Sequence, residues 1–186
     1  MAGAVEAATV NSLKERLSQW GFSWEGLRDN RRGEWWLIAQ LALITAHLLP
    51  PTPAPGSLGV TWPQGLGGLG WGTFALGLVL AALAVGALGA SLTPLPEPMP
   101  EAPLVTTGAY GRCRHPLYQA LLVCSLGVVV ALGSLLHLAL LLALGGVLSG
   151  KAHREEQRLL EQYPDYGAYR ATTPAIIPHV PGLDWH

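Results

Sequence analysis

The chain alternates between three stretches that hold all of its charge and two that hold none. Charged residues occupy 6–34, 97–114 and 151–184, and neither 35–96 nor 115–150 contains a Lys, Arg, Asp or Glu. In the first uncharged interval, Trp35-Trp36-Leu37-Ile38 opens an apolar run to Leu49. A Pro/Gly-rich loop follows from Pro50 to about Gly68, and a second apolar run extends from Leu69 to Leu92. An uncharged apolar run of about 18 or more residues reads as a membrane span, because a hydrocarbon core of about 30 Å takes about 20 helical residues. Residues 69–92 meet that length directly. Residues 117–149 are too long for one crossing, since at about 1.5 Å per residue they would reach about 50 Å. The Gly133-Ser134 step near their middle predicts a tight helical hairpin. The pattern therefore predicts an all-α integral membrane protein of about four transmembrane helices, near 35–49, 69–92, 117–132 and 134–150, the last two forming a C-terminal hairpin.

Four crossings place the three charged stretches on one face and leave the loop 50–68 and the hairpin tip on the other. Every Lys and Arg then lies on a single side, which the positive-inside rule assigns to the cytosol, together with the N- and C-terminal segments. The short first span needs interfacial anchoring, which Trp35 and Trp36 supply. Residues 1–34 form an N-terminal cytosolic or interfacial segment. There, Ser12-Leu13-Lys14-Glu15 has capping-box spacing, and Val10, Leu13, Leu17 and Trp20 share one helical face, which predicts an amphipathic helix on the membrane surface or against the other charged segments. The first 30 residues lack the basic start, apolar core and small-residue cleavage site of a secretory signal. Alternating prolines in Thr93–Pro100 predict a stiff, extended connector.

Composition sharpens this picture. Only 12% of the 186 residues are charged, against about a quarter in soluble domains, while 50% are hydrophobic, which excludes disorder. Eleven basic against twelve acidic residues leave no basic excess for nucleic acid. Cys113 and Cys124 are too few for a disulfide framework, form no zinc pattern, and are expected to be reduced. His47 and His137 fall in or near apolar spans, where ionisable groups are costly, and read as neutral, hydrogen-bonded packing groups.

Two polar clusters flank the predicted hairpin. One runs from Leu104 to Tyr118 and includes Arg112, Arg114 and His115; the other runs from Lys151 to Leu159 and includes Glu155 and Glu156. Because both ends of a hairpin lie on one face, the clusters are neighbours in space. Taken singly the residues have plain readings: the arginines as membrane anchors, Tyr118 as an interfacial aromatic, Pro116 in the first turn of a helix, Glu155 paired with Lys151 four residues earlier. Together they place cations, two carboxylates and aromatic rings around a cleft beside lipid, which suits a polar cofactor meeting an apolar substrate. Carboxylates hold hydroxyl or ammonium groups, imidazole and guanidinium hold a carboxylate, and aromatic faces hold a cationic centre. These residue types do not themselves choose a cofactor.

Five segments in order carry a resemblance: Leu104-Val105-Thr106-Thr107-Gly108-Ala109-Tyr110, Arg114-His115-Pro116-Leu117-Tyr118, Glu155-Glu156-Gln157-Arg158-Leu159, Tyr163-Pro164-Asp165-Tyr166-Gly167-Ala168-Tyr169 and Pro174-Ala175-Ile176-Ile177-Pro178. In this the chain resembles the membrane-embedded isoprenylcysteine carboxyl methyltransferase family, whose wider group includes phospholipid N-methyltransferases. The resemblance implies a helical membrane methyltransferase domain over 35–186 that binds S-adenosylmethionine (SAM) in a cytosol-facing pocket, built from 102–118 and 151–178, and methylates a carboxyl or amine of a lipophilic or lipid-embedded acceptor. Matching positions imply that Leu104, Val105, Tyr110, His115, Pro116, Leu117, Tyr118 and Glu155 bind the cofactor, that Glu156 and Arg114 form a catalytic pair, and that Lys151 faces the acceptor. The family has Arg where this chain has Lys151, and Arg where it reads Thr172, so the means of holding an acceptor carboxylate differ. Lysine keeps the charge but loses the two-pronged fork.

Methyl transfer from a sulfonium is an in-line displacement from a good leaving group, so alignment and exclusion of water are the main work, and His115 and Glu155 serve binding rather than proton transfer. Two other functions fit the same scaffold: a non-catalytic assembly or binding factor, and an NADPH-dependent lipid or sterol-type reductase. A related reductase motif has Asn at the position of Leu117, which counts against the latter.

Overall fold

The computed structural model describes residues 24–98 and 102–186. Its helices are α1 (Trp24–Asp29), α2 (Glu34–Ala46), α3 (Gln64–Leu88), α4 (Pro116–Leu132), α5 (Leu135–Gln162) and α6 (Tyr166–Thr172), and no strand occurs among the described residues. The amphipathic helix expected around Val10–Trp20 lies outside them.

Two helices, α3 and α5, are long and apolar enough to cross a membrane, while α2 and α4 are apolar but shorter. Only 11% of the most apolar window of α3 is buried within the protein. Leu69, Leu76, Leu78, Val79 and Leu83 stand exposed along it, which in a bilayer is a lipid-facing surface. Its other face packs against α4 through small residues a heptad apart, Gly70, Gly77 and Ala84, all buried. A Cβ at Gly70 would collide with the Ala131 backbone, and one at Gly127 with the Phe74 backbone. This close approach of helix backbones is the packing membranes favour, where dispersion rather than water expulsion holds helices together.

The helix bounds differ from the sequence pattern for identifiable reasons. The second span starts at Gln64, directly after Pro63, and stops at Leu88 because Gly89 turns the chain at φ 52°. Helix α2 stops at Ala46, ahead of Pro50-Pro51. The hairpin falls where expected: Gly133 adopts φ 59°, a left-handed cap, and its N–H bonds the Val129 carbonyl. The ring of Trp62 lies where a side chain at position 133 would be, and its Nε1–H donates to the Val130 carbonyl at 2.9 Å. Thr52 clamps the tip, accepting from the Leu136 amide and donating its own amide to Ser134 Oγ, both at 3.0 Å. His47 and His137 are hydrogen-bonded near this end. Ser125 Oγ lies 2.6 Å from His47 Nε2, and His47 Nδ1 lies 2.8 Å from the Leu43 carbonyl, while His137 Nε2 lies 3.3 Å from the His47 carbonyl.

Helix α5 does not end with the apolar run at residue 150 but continues without a break to Gln162. The onset of charge ends the span, not the helix, because Lys, Ala, Arg, Glu and Gln are good helix formers. The second polar cluster is therefore carried rigidly on the end of a crossing helix. The connector after α3 is also not extended: residues 94–97 bend, and Leu95 and Pro96 are buried. Finally, the C-terminal segment folds back over the hairpin. Ala175 and Ile176 join Tyr118, Leu122, Leu144, Leu148 and Ala152 in one buried cluster.

Candidate functional site

His115 caps α4 and Pro116 opens it, so the side chains before the cap turn toward α5. The cap is held by the C-terminal segment, since the Arg114 and His115 amides donate to the carbonyls of Pro174 (2.9 Å) and Ala175 (3.0 Å). Arg114 is then buried against Glu156, with Nε 2.7 Å from Oε1 and NH2 3.5 Å from Oε2. Its other N–H groups donate to backbone carbonyls: Arg170 at 2.8 Å, Trp185 at 2.6 Å, and Thr173. All five guanidinium donors thus have acceptors within the chain. Glu156 also accepts from His115 Nε2 at 3.0 Å and Trp185 Nε1 at 2.8 Å, and Arg170 Nε lies 3.4 Å away. This is a closed, charge-compensated node.

Glu155, the preceding residue, points elsewhere. Its Oε2 accepts from the Tyr118 hydroxyl at 2.8 Å, and the Tyr118 ring lies parallel to that of His115, centroids 5.3 Å apart. Glu155 lines an open cleft with about 610 Å³ of atom-free space, counting its mouth. One side of the cleft is the segment 102–105 with Tyr110; the opposite side is Leu159 of α5 with Tyr163, Tyr166 and Tyr169; the end of α3 and its connector contribute Leu88, Ser91 and Thr93. Tyr166 is 1% exposed, and its hydroxyl lies beside Glu156. Tyr169 donates to the Tyr110 carbonyl and Tyr163 to that of Ala102, so α6 and its approach are fastened to the facing segment.

Burial sets the ionisation of this cleft. It pushes the hydroxyls of Tyr110, Tyr166 and Tyr169 well above the ordinary tyrosine range, with nearby carboxylates adding to the effect, so all three are neutral donors. Burial likewise pushes the Cys113 thiol up to about 11.

Of the residues picked out in the sequence, Leu104, Val105, Tyr110, Arg114 and Glu155 line the cleft. His115 and Glu156 sit in the node, and Tyr118 supports Glu155 from behind. Pro116 is buried at the helix start and Leu117 is half-buried, and neither is among the lining residues. Lys151 is 3% exposed and is not among them either. It makes no direct contact with Glu155, although that carboxylate's charge acts on it; its Nζ donates to Gln40 Oε1 at 2.7 Å and to the Pro94 carbonyl at 2.8 Å. Thr172 is exposed, its hydroxyl bonded back to α6 carbonyls.

Sequence reasoning placed Tyr163, Tyr166 and Tyr169 within the expected cofactor segment 151–178 but did not pick them out individually, although the repeat of Tyr at three-residue spacing was a usable signal. It missed Trp185, for which local sequence gives no signal: it meets Glu156 only because the tail doubles back. That fold-back rests on Asp184, which accepts from the amides of Ala175 (3.0 Å) and His179 (2.9 Å).

The phospholipid methyltransferase family model matches residues 67–165, a stretch from the first turn of α3 through the whole of α5 that contains the node arginine, histidine and both glutamates. Over 82 residues the chain is 39% identical to the nickel-cobalt-cadmium resistance protein NccN of Alcaligenes xylosoxydans xylosoxydans, covering 41% of this chain and 37% of that protein. It is 37% identical over 82 residues to the cobalt-zinc-cadmium resistance protein CzcN of Cupriavidus metallidurans, covering 41% of this chain and 36% of that protein. The matches thus span a little over a third of the length of these curated relatives. No solved structure matches the chain. With more than half of its 186 residues matched, including Arg114, His115, Glu155 and Glu156, the chain belongs to the phospholipid methyltransferase family.

Proposed function

We propose that this protein is a membrane methyltransferase that takes a methyl group from SAM, held in the Glu155 cleft, and passes it to a lipophilic acceptor arriving from the bilayer on the cytosolic face. The observation that carries the reading is the meeting of Glu155, Tyr110 and Tyr166 in one cleft at the end of a membrane-crossing helix.

The residues present fit such a donor. Glu155 Oε2 is engaged by Tyr118, and Oε1 has no bond assigned to it, which suits a hydroxyl or ammonium partner. Tyr166 adds a neutral hydroxyl that lies beside Glu156 in the cleft wall. The aromatic rings of Tyr110, Tyr166 and Tyr169 suit a cationic centre. When bound, the sulfonium supplies an activated methyl and a neutral leaving group. What the chain supplies is position: Tyr118 fixes the rotamer of Glu155, and the node of Arg114, His115, Glu156 and Trp185 fixes the geometry between α4, α5 and the tail. In this reading Arg114 and Glu156 act by orientation, since their polar atoms are engaged with one another and with the chain. Neutral tyrosines and apolar lining keep water low around the reacting methyl.

The test is transfer of radiolabelled methyl from SAM into organic-extractable material by membranes containing the protein. Wild type should label lipid, and at sub-saturating SAM Glu155→Ala should label it roughly tenfold less or weaker still. Label that is absent with wild type across a range of membrane lipids, or equal in the two, refutes the reading.

A further inference from the structure

Lys151 stands one turn before Glu155 on the same face of α5, yet it is enclosed by protein. Its ammonium bonds Gln40 of α2 at 2.7 Å and the carbonyl of Pro94 at 2.8 Å, and lies 5.3 Å from the centre of the Tyr118 ring. Three separate elements therefore converge on one cation: a membrane helix, the connector and the residue that holds Glu155. The connector is the informative one. Thr93 and Pro98, on either side of Pro94, line the cleft, while Leu95 and Pro96 are buried behind it. One turn further along α5, Arg154 reaches the carbonyl of Arg31 at 2.6 Å, and Pro96 lies close against Gly33. Lys151 and Arg154 together tie α5 to the start of α2 and to the bent connector.

We propose that Lys151 is a positioning residue for the methyl-donor cleft: it holds the 93–98 wall against α5 and, through the Tyr118 ring, keeps Glu155 aimed into the cleft. This inference rests on the reading of that cleft as the SAM site. It assigns the cation to the donor side, away from any acceptor carboxylate, because two of its three N–H groups are already directed at Gln40 and Pro94. A lysine suits the place because a compact ammonium can bond oxygens in diverging directions, and because a neutral side chain would leave Gln40 Oε1 and the Pro94 carbonyl buried without a donor.

The test is titration of purified protein in detergent with S-adenosylhomocysteine, for wild type, Lys151→Met, Gln40→Leu and the double variant. Lys151→Met should bind at least tenfold more weakly and Gln40→Leu at least threefold. The double variant should bind no more weakly than Lys151→Met alone, since the two groups act as a unit. In labelled methyl transfer to membrane lipid, saturating SAM should restore Lys151→Met to within twofold of wild type, a KM effect that general loss of structure would not produce. Affinity for S-adenosylhomocysteine within twofold of wild type in Lys151→Met overturns the proposal. So does a transfer defect that saturating SAM does not relieve, which would return Lys151 to the acceptor. Should Lys151→Met fail to fold, Gln40→Leu decides in its place: a loss of threefold or more supports the proposal, and a smaller loss overturns it. Wild type that binds no S-adenosylhomocysteine overturns instead the reading of the cleft, and this inference with it.

Discussion

Glu155 and Glu156 are consecutive residues on one helix and end in opposite surroundings. The second enters a node in which Arg114, His115 and Trp185 each donate to it, and it is 2% exposed. The first leans on the Tyr118 hydroxyl, lies 3.8 Å from His115 Nδ1 and opens onto a cleft. A rotation of about 100° between adjacent helical positions separates them. The difference teaches that a pair of acids in sequence is not a pair in function. A carboxylate whose bonds are all internal stabilises the frame, and one with an oxygen left over is free to recognise a ligand.

The strongest way to break the comparison is to remove the node acid. Glu156→Ala leaves the Arg114 guanidinium buried without its partner, and loss of one member of a buried ion pair costs about 3–5 kcal/mol. Thermal unfolding in detergent should show a large fall, with ligand binding lost as a consequence. Glu155→Ala should act mainly on the ligand. It strands the Tyr118 hydroxyl, so stability should fall by about 1–3 kcal/mol, less than for Glu156→Ala, while loss of a charged hydrogen bond of about 1.5–3 kcal/mol weakens S-adenosylhomocysteine roughly tenfold or more. Trp185→Phe removes one donor from Glu156 and keeps the aromatic packing, so it should lower stability by about 1 kcal/mol with little direct effect on binding. Tyr166→Phe sharpens the cleft side: the hydroxyl lies beside Glu156, so stability should fall by no more than about 1 kcal/mol, and a few-fold drop in affinity beyond that reports a contact to ligand. The smallest effect concerns Cys113, which lies beside the node and is 2% exposed. With its thiol pushed up to about 11, it is protonated at pH 8, and maleimide should leave it unlabelled until the protein unfolds.

Much of the frame was legible because charge and apolar length are local properties. The two uncharged intervals located the crossing helices, Gly133-Ser134 located the hairpin, and the hairpin brought the two polar clusters together. The division of labour inside the clusters was not legible. Lys151 is 111 residues from Gln40, and its bond to the Pro94 carbonyl depends on a connector that bends where its prolines suggested extension. Trp185 reaches Glu156 only through a fold-back that Asp184 organises. The extension of α5 to Gln162 was hidden because a change from apolar to charged residues marks the edge of the lipid and leaves helix propensity untouched. Such partners are fixed by tertiary packing, which a reading of local pattern does not contain.

The most direct test of the account is a calorimetric titration of S-adenosylhomocysteine and of NADPH into wild type and Glu155→Ala, with the melting temperature of each recorded alongside. The account predicts that wild type binds S-adenosylhomocysteine and not NADPH, and that Glu155→Ala still melts cooperatively, closer to wild type than Glu156→Ala, while binding roughly tenfold or more weakly. Equal affinity in the two proteins, or binding of NADPH in place of S-adenosylhomocysteine, would contradict it.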